Sequence, residues 1–407
     1  MTVASVESYD LRALDVSLPQ RFQHNTHWPV FARLRREAPV HYCPASAHGP
    51  YWSITRYSDI LAVEVDHRQF SSEGNVIIGD VPSEFDATRA FATSDPPVHT
   101  RERHAVSPAV APQRVARIED ETRRCIRDVL DSLPRDEPFN WATRVSAELT
   151  TRMVATLFDF PMAERHRLTY WAEVLVTTPA PGAIAGTWAE REAILREYQD
   201  RILDLWSRRS GNPGDDVISA LTRSPHTASM AQDPTHLIGT ITLVAGANEA
   251  SRGALSGSIV AFNQYPGEWE RLRADPSLVA NAAAEIVRWQ TPITHMRRTA
   301  TADLELGGNW IRAGDRVVMW YCSGNRDEQV FADADRLAIG RTNARRHLGF
   351  GAGIHRCLGS HVAEMQIRVL LQEMLTRFAR VELVAEPRRI PSNFSASYSE
   401  VLVRTRR

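Results

Sequence analysis

The sequence predicts a mainly α-helical protein with small β-sheets, folded as one domain over residues 1–407. Three observations carry that reading. Helical periodicities of apolar residues recur from Trp28 to Phe378 and dominate the chain. Short runs that read as strands are confined to two regions, one near residues 40–56 and one after residue 304. No repeat, low-complexity tract or Gly/Ser-rich linker divides the chain, so a length that by itself suggests about two or three domains is read as one large fold.

The elements follow in order. Trp28–Glu37 is a short amphipathic helix stopped by Pro39. Val40–Tyr42 and Tyr51–Arg56 read as strands, with His48-Gly49-Pro50 near the turn between them. Ser58 is placed to cap a helix running to Val65. Residues 72–95 are irregular, with Gly74, Gly79 and Pro82, and a stretch this long without periodicity is usually functional. Helices resume at Val98, at Val115–Leu133, at Asn140–Phe158 and at Ala163–Thr177. The segment Thr177–Thr187 breaks the pattern and Trp188–Ser207 restores it. A long helix is predicted from Pro234 to about Tyr265, with few charges in its middle, as in a helix buried on most sides. Pro276–Gln290 is a further helix, ended by Thr291-Pro292. Leu304–Leu306 and Val317–Trp320 read as strands around turns, beginning with Gly307-Gly308. A glycine-rich loop leads to Cys357 and to a helix ending near Phe378, and short strands close the chain at Val381–Val384 and Leu402–Arg404.

Composition narrows the function classes. The 48 basic and 49 acidic residues leave a formal net charge of -1, so no global field draws the chain to nucleic acid or anionic membrane. The 43% hydrophobic content supports a sizeable core. Four cysteines, Cys43, Cys125, Cys322 and Cys357, stand far apart without a CxxC pair, which fits a reducing compartment better than a disulfide framework. Met1–Leu18 has neither the basic start nor the apolar stretch of a signal peptide, and no segment has the length and apolarity to span a bilayer. A cytoplasmic monomer is expected.

The chemistry is concentrated at Phe350-Gly351-Ala352-Gly353-Ile354-His355-Arg356-Cys357-Leu358-Gly359. Glycine allows positive φ, so backbone amides can turn toward the sulfur. A cysteine at the start of a helix gains from the dipole and free N–H groups, which favour thiolate and lower its pKa. Phe350 can pack beside the sulfur and limit water. The arrangement suits a soft anionic ligand for a metal.

These ten residues resemble the haem-binding signature of the cytochrome P-450 superfamily, F-G-x-G-x-H-x-C-x-G, at every fixed position. The resemblance extends from about Trp28 to Val403, and it implies that family's fold, a triangular helical body with a minor β region. It implies haem b with Cys357 as the iron's thiolate ligand, beside Phe350, Gly351 and Gly359. Glu285-Ile286-Val287-Arg288 resembles the family's E-x-x-R pair, and Arg341 stands where a third, joining arginine is expected. Asn325-Arg326-Asp327 and Phe331 resemble the intervening segment, although Ala334 and Leu337 replace the usual Pro and Phe. His99 and Arg103, four apart on one helix face, match positions that bind a haem propionate, as do Arg298 and His355. Cationic donors there would satisfy carboxylates that are costly to bury alone. Segments at Tyr51–Tyr57, Met296–Thr301 and Pro391–Phe394 look closest to bacterial alkane and fatty-acid terminal hydroxylases.

The long helix departs from the family pattern. Val244-Ala245-Gly246-Ala247-Asn248-Glu249-Ala250-Ser251-Arg252 keeps an acid at Glu249 but has Ala250 where threonine is usual, followed by Ser251. An alcohol beside an acid orders the water that carries protons during oxygen activation. Ser251 can substitute, a substrate hydroxyl can supply the lost hydrogen bond, or oxygen is not activated in the ordinary way; alternatively Ser251 faces a neighbouring helix. Gly246 either leaves room for oxygen or permits close helix packing, and the resemblance favours the first.

By resemblance the substrate pocket draws on Ser72–Phe91, Thr177–Trp188, Ile293–Met296 and Phe394–Tyr398. Val76, Ile77, Ile78, Ile184, Ile293 and Phe394 suit a mostly apolar small molecule, with Thr177, Thr178, Thr294 and His295 adding polar contacts. No flavin or nicotinamide fingerprint is present, so electrons are expected from a separate ferredoxin and its reductase. Arg101, Arg345, Arg346 and Arg356 would form a basic dock for an acidic ferredoxin. The expected activity is insertion of one oxygen atom from O2 into a C–H bond. Its rivals are a peroxide-driven or coupling reaction that tolerates Ala250, and a haem-thiolate sensor or carrier without turnover.

Overall fold

The computed structural model describes residues 6, 9–79, 90–176, 184–246 and 248–406. Helices form most of it: α1 (Pro19–Gln23), α2 (Trp28–Glu37), α3 (Tyr57–Val65), α4 (Val98–Val106), α5 (Pro112–Asp131), α6 (Glu148–Phe158), α7 (Arg165–Val176), α8 (Trp188–Gly211), α9 (Val217–Arg223), α10 (Pro234–Gly246), α11 (Asn248–Gln264), α12 (Pro266–Ala274), α13 (Val279–Gln290), α14 (Tyr321–Gly324) and α15 (Ser360–Arg377). The predicted mainly helical class with small sheets is the observed one. Predicted helix α2 has its expected bounds. The predicted Pro234–Tyr265 helix is described as α10 and α11 on either side of residue 247, which lies outside the described residues. Helices α9 and α12 were not anticipated.

The helices gather around one large apolar cluster. On α5 the buried Val115, Ile118, Thr122, Ile126, Val129 and Leu130 repeat with helical period and face this core. Helix α15 packs along α5, and the seam is closed by charges: Glu373 receives Arg123 and Arg127, and Arg377 reaches Asp131. Helix α11 passes through the interior, with Gly253, Ala254, Leu255, Ser256 and Gly257 buried in succession. Such all-round burial needs small residues on the crowded faces. A Cβ added at Gly257 would lie 2.4 Å from Gln290, and one at Gly253 would lie 2.8 Å from Ser397.

Beside the helices lies a five-stranded mixed sheet in the order β1 (Val40–Cys43), β2 (Tyr51–Ile54), β8 (Arg316–Met319), β5 (Met296–Ala300) and β3 (Phe70–Ser71). Strands β2 and β8 are parallel and the other neighbours antiparallel. A second sheet joins β4 (Phe139–Asn140), β12 (Leu402–Arg406) and β9 (Arg380–Leu383). A hairpin, β6 (Leu304–Leu306) with β7 (Asn309–Ile311), turns at Gly307 and Gly308. Both glycines have positive φ, which a two-residue hairpin loop requires. Strands β10 (Arg388–Arg389) and β11 (Tyr398–Glu400) form the last pair.

Two local expectations are corrected. The N-cap of α3 is Arg56 and makes no side-chain cap. Asp327 does that work from across the fold, accepting the Tyr57 amide at 2.9 Å, while Ser58 donates to Asp59. The predicted Asn140–Phe158 helix begins instead as a strand residue and a π-helical segment, Ala142–Ala147, before α6. Asn140 pairs with Leu402, and its side-chain oxygen accepts the Ala142 and Val401 amides, which holds the start of the segment in the sheet.

Candidate functional site

The glycine-rich loop before α15 is shaped by backbone that only glycine adopts readily. Gly351 and Gly353 have φ of +63° and +62°. At Gly353 a Cβ would also lie 2.4 Å from the Glu64 carbonyl oxygen, so α3 and the loop can approach only over a hydrogen. The turn is closed by the Cys357 amide, which donates to the Phe350 carbonyl at 2.7 Å. Cys357 is partly exposed and outside any disulfide. Its thiol is pushed up by burial, against the Gly359 amide and the Arg103 and Arg356 charges. The expected lowering at a helix start is therefore present but is outweighed, since α15 begins at Ser360 and the sulfur itself is enclosed. Phe350 packs edge-on to His347 at 5.1 Å between ring centroids, with the Arg356 guanidinium 5.9 Å above it.

Four side chains with cationic capacity converge beside this loop. His99 and Arg103 come from α4, Arg298 from β5, and His355 from the loop itself. The rings of His99 and His355 are 4.3 Å apart. Arg103 donates to the Arg356 carbonyl. Arg298 is buried and pairs with Glu64 at 3.1 Å. Burial holds the His355 imidazole down to about 2, with Arg298, His99 and Arg103 adding repulsion. His99 is lowered by burial first and by Arg103 next. Both ring nitrogens of His99 and Nε2 of His355 are buried without a well-formed hydrogen bond, the Ile354 carbonyl lying beside His99. Each such orphan costs about 1–3 kcal/mol. A ligand carrying buried carboxylates would accept the N–H of each ring and the arginine N–H groups beside them, and among the described residues no group of three His, Cys, Asp or Glu side chains forms a metal cage. A sulfur beside a nest of arginine and imidazole donors therefore fits an iron held by an acidic porphyrin.

Behind the loop, Glu285 and Arg288 of α13 are completely buried. Arg288 meets Glu285 at 2.7 and 2.8 Å and donates to the carbonyls of Asn325, Ala334 and Arg336. Arg341 reaches Glu285 at 3.0 Å, and the Ala338 amide donates to the same carboxylate at 2.9 Å. Asn325 accepts the Leu348 amide, so this hub is linked directly to the segment that enters the cysteine loop. Ala334 and Leu337, the two departures from pattern, are both buried.

On the other side, Gly246, Glu249, Ala250 and Ser251 lie where α10 meets α11. A Cβ at Gly246 would meet nothing within 4 Å among the described residues. Gly246 thus leaves open space, and close packing falls to Gly253 and Gly257. Glu249 pairs with Arg252 at 3.2 Å. The hydroxyls that reach Glu249 come from the far end of the chain: Ser395 donates to its carboxylate at 3.4 Å, and Ser397 to its carbonyl. Ala250 and Ser251 are half-buried.

The pocket residues divide. Ile77, Ile293 and Phe394 are half-buried, with Val76 and Ile184. Ile78 is buried in an apolar cluster with Phe22, Tyr51, Trp320 and Cys322. The Thr294 hydroxyl donates to the Asn393 carbonyl. The ring of His295 is fully buried and both its nitrogens are bonded within the protein. Thr177 and Thr178 lie outside the described residues, as do residues 80–89 of the irregular loop. Glu64 was missed in the sequence. The signal was present, an acid in the apolar last turn of α3, but it reads equally as a solvent-facing position.

A family model described as Cytochrome P450 matches residues 271–402. Linalool 8-monooxygenase of Pseudomonas putida is 36% identical, with 93% of this chain and 96% of that protein covered. A methyl-branched lipid omega-hydroxylase of Mycobacterium tuberculosis is 33% identical, with 90% and 88% covered. The solved structure of cytochrome P450-153 from Novosphingobium aromaticivorans superposes with a TM-score of 0.87 at 39% identity, covering 96% of this chain and 98% of that one.

Proposed function

The chain belongs to the cytochrome P450 family and is a monooxygenase, and from that premise we propose that it hydroxylates the end of a mostly apolar chain, using electrons from a separate ferredoxin and reductase. The observation that carries the reading is the pairing of the Cys357 loop with the cationic nest of His99, Arg103, Arg298 and His355.

Haem b, when bound, supplies the activation of O2 and its insertion into a C–H bond. The rest is the work of this chain. Cys357 would hold the iron through its sulfur, and Phe350 would shield that sulfur from water. His99, Arg103, Arg298 and His355 would hold the haem carboxylates. Gly351, Gly353 and Gly359 keep the loop backbone free of side chains that would crowd the group. Gly246 leaves room beside α10 for a diatomic molecule. Glu249 presents a carboxylate beside α10, tethered by Arg252 and Ser395. Ala250 contributes no hydroxyl, so water ordering falls to Ser251, to the Ser395–Glu249 contact or to the substrate.

Half-buried Val76, Ile77, Ile293 and Phe394 support an apolar ligand. Relatives named for linalool 8-oxidation and lipid omega-hydroxylation support attack at a chain end. Exposed Arg101, Arg345 and Arg356 near the cysteine loop support docking of an acidic ferredoxin. Among the described residues no helix is long and apolar enough to cross a membrane. The test is a spin-state titration of the ferric protein with medium-chain alkanes, fatty acids and acyclic terpenoids, followed by product analysis with a surrogate ferredoxin and NAD(P)H. High-spin conversion and chain-end alcohols are expected. Turnover with hydrogen peroxide alone, and none with the electron-transfer partners, would replace this reading with the peroxide-driven one. Cys357→Ala is expected to abolish the thiolate-type carbon monoxide spectrum, and its retention would overturn the ligand assignment.

A further inference from the structure

His295 immediately precedes β5 and is fully buried, with its ring 4.8 Å from Trp320 and 5.4 Å from Phe394. The backbone amide of Ile78 points at its Nε2 from 3.1 Å. An amide N–H only donates, so Nε2 is the bare acceptor and the ring proton sits on Nδ1. Nδ1 lies 3.0 Å from the Asn393 carbonyl and donates to it. The tautomer is thus dictated by the two partners. Burial holds the imidazole down to about 3, which keeps it neutral and able to accept.

The two bonds run to different walls. Ile78 belongs to the 75–79 segment, which is folded on itself by Asn75 accepting the Ile77 amide at 3.0 Å. That segment has a second anchor on the same strand, where the Arg297 amide donates to the Val76 carbonyl at 2.8 Å. Asn393 belongs to the turn that carries Phe394, and its own side-chain amide donates to the Ser17 carbonyl at 2.6 Å. Half-buried Ile77 and Phe394 each adjoin a clipped residue. One imidazole therefore bridges the two segments directly, beside the backbone bonds that tie each to the same stretch of chain, Arg297 to Val76 and Thr294 to Phe394.

We propose that His295 is a positioning residue that clips the 75–79 segment to the 393–394 turn and so sets the width of the substrate pocket, and with it the choice among ligands. This rests on the reading above that both segments line the pocket. It assigns His295 no contact with the ligand.

The experiment uses the haem-loaded full-length protein, His295→Leu, and His295→Gln, whose amide can accept from Ile78 and donate to Asn393. Amide hydrogen exchange is measured for residues 75–79, beside spin-state titrations with dodecanoic acid and with linalool. In His295→Leu, exchange at Ile78 is expected to rise about 10- to 100-fold, the range implied by one buried donor left unpaired. The ratio of the two ligand affinities is expected to shift, the carbon monoxide spectrum to stay thiolate-type, and His295→Gln to restore much of both readings. An Ile78 amide that exchanges freely in the parent protein overturns the clip without any variant being needed, which covers a leucine variant that fails to fold. Faster exchange with an unchanged affinity ratio overturns the specificity role. A parent protein lacking the thiolate spectrum would defeat the monooxygenase reading, while the exchange data would still decide the clip.

Discussion

One hydrogen at Gly353 decides whether the cysteine loop can lie against α3. Gly353→Ala would combine a left-handed backbone with a methyl 2.4 Å from the Glu64 carbonyl. A loss of at least about 2 kcal/mol and poor haem retention are expected, read by urea unfolding and by haem absorbance per polypeptide. Unchanged haem content would show that the loop shifts freely. Glu285→Gln attacks the second constraint. It leaves Arg288 buried with its charge uncompensated, and a destabilisation of about 3–5 kcal/mol is expected in the same assay. A loss below about 1 kcal/mol would mean that the carbonyls of Asn325, Ala334 and Arg336 suffice to hold the arginine. At this scale the sequence was most legible where residue type and spacing leave few alternatives. Cys357 with its glycines, and Arg341 as a partner of Glu285, were read from pattern. Glu64 was not, nor was the cap that Asp327 gives α3, because each acts on an element far away in sequence and nothing local marks those contacts.

Between residues and the whole molecule, α10 and α11 show how one residue type serves two purposes. Gly246→Ala meets no described atom, so it should gain helix propensity worth roughly 1 kcal/mol while filling open space. Gly257→Ala gains the same propensity but drives its methyl into Gln290, which is held by the Ala396 carbonyl and Tyr398. A net loss of about 1–3 kcal/mol is expected there. Thermal unfolding of the two variants should therefore move in opposite directions, and a rise in both would contradict the packing described. The helices with strong periodicity were predicted nearly to the residue. The misses were short or tertiary in origin. Strand β5 does not alternate because the adjacent Arg297 and Arg298, which point to opposite faces, are both buried. The π-helical start of α6 depends on Asn140 pairing with Leu402, a partner 262 positions away that no local window contains.

Across the whole molecule, buried neutral histidines couple stability to acidity. Burial holds His27, His295 and His347 down to about 3, against an ordinary value of 6.5. Below about pH 6.5 the unfolded chain takes up protons that the folded chain refuses. Stability is therefore full above 6.5 and falls as the pH drops toward 3, with a limiting slope of about 1.4 kcal/mol per pH unit for each histidine. Urea unfolding between pH 6.5 and 5, above the range where most carboxylates titrate, should show this decline. A His27→Gln variant should show it reduced by one histidine's share, and an unaltered slope would remove His27 from the account. The mainly helical architecture was legible from periodicity alone. The relation between the 75–79 segment and the cysteine loop was not, because it is made by a sheet whose strands come from opposite ends of the chain.

Strand β5 carries Arg298 beside the cysteine loop, while His295, next to its start, bonds both the 75–79 segment and Asn393. A single inserted residue there would flip every later side chain to the opposite face and disturb both at once. The 75–79 segment is under no such double obligation, whereas the 393–397 turn also holds Glu249 through Ser395 and Ser397. On the pocket proposed above, natural or laboratory evolution of this protein can rewrite its diet by editing residues 75–79 and leaving the strand alone. A library confined to that stretch should therefore yield many folded, haem-loaded members with altered appetites, whereas one aimed at β5 should yield few that hold haem at all.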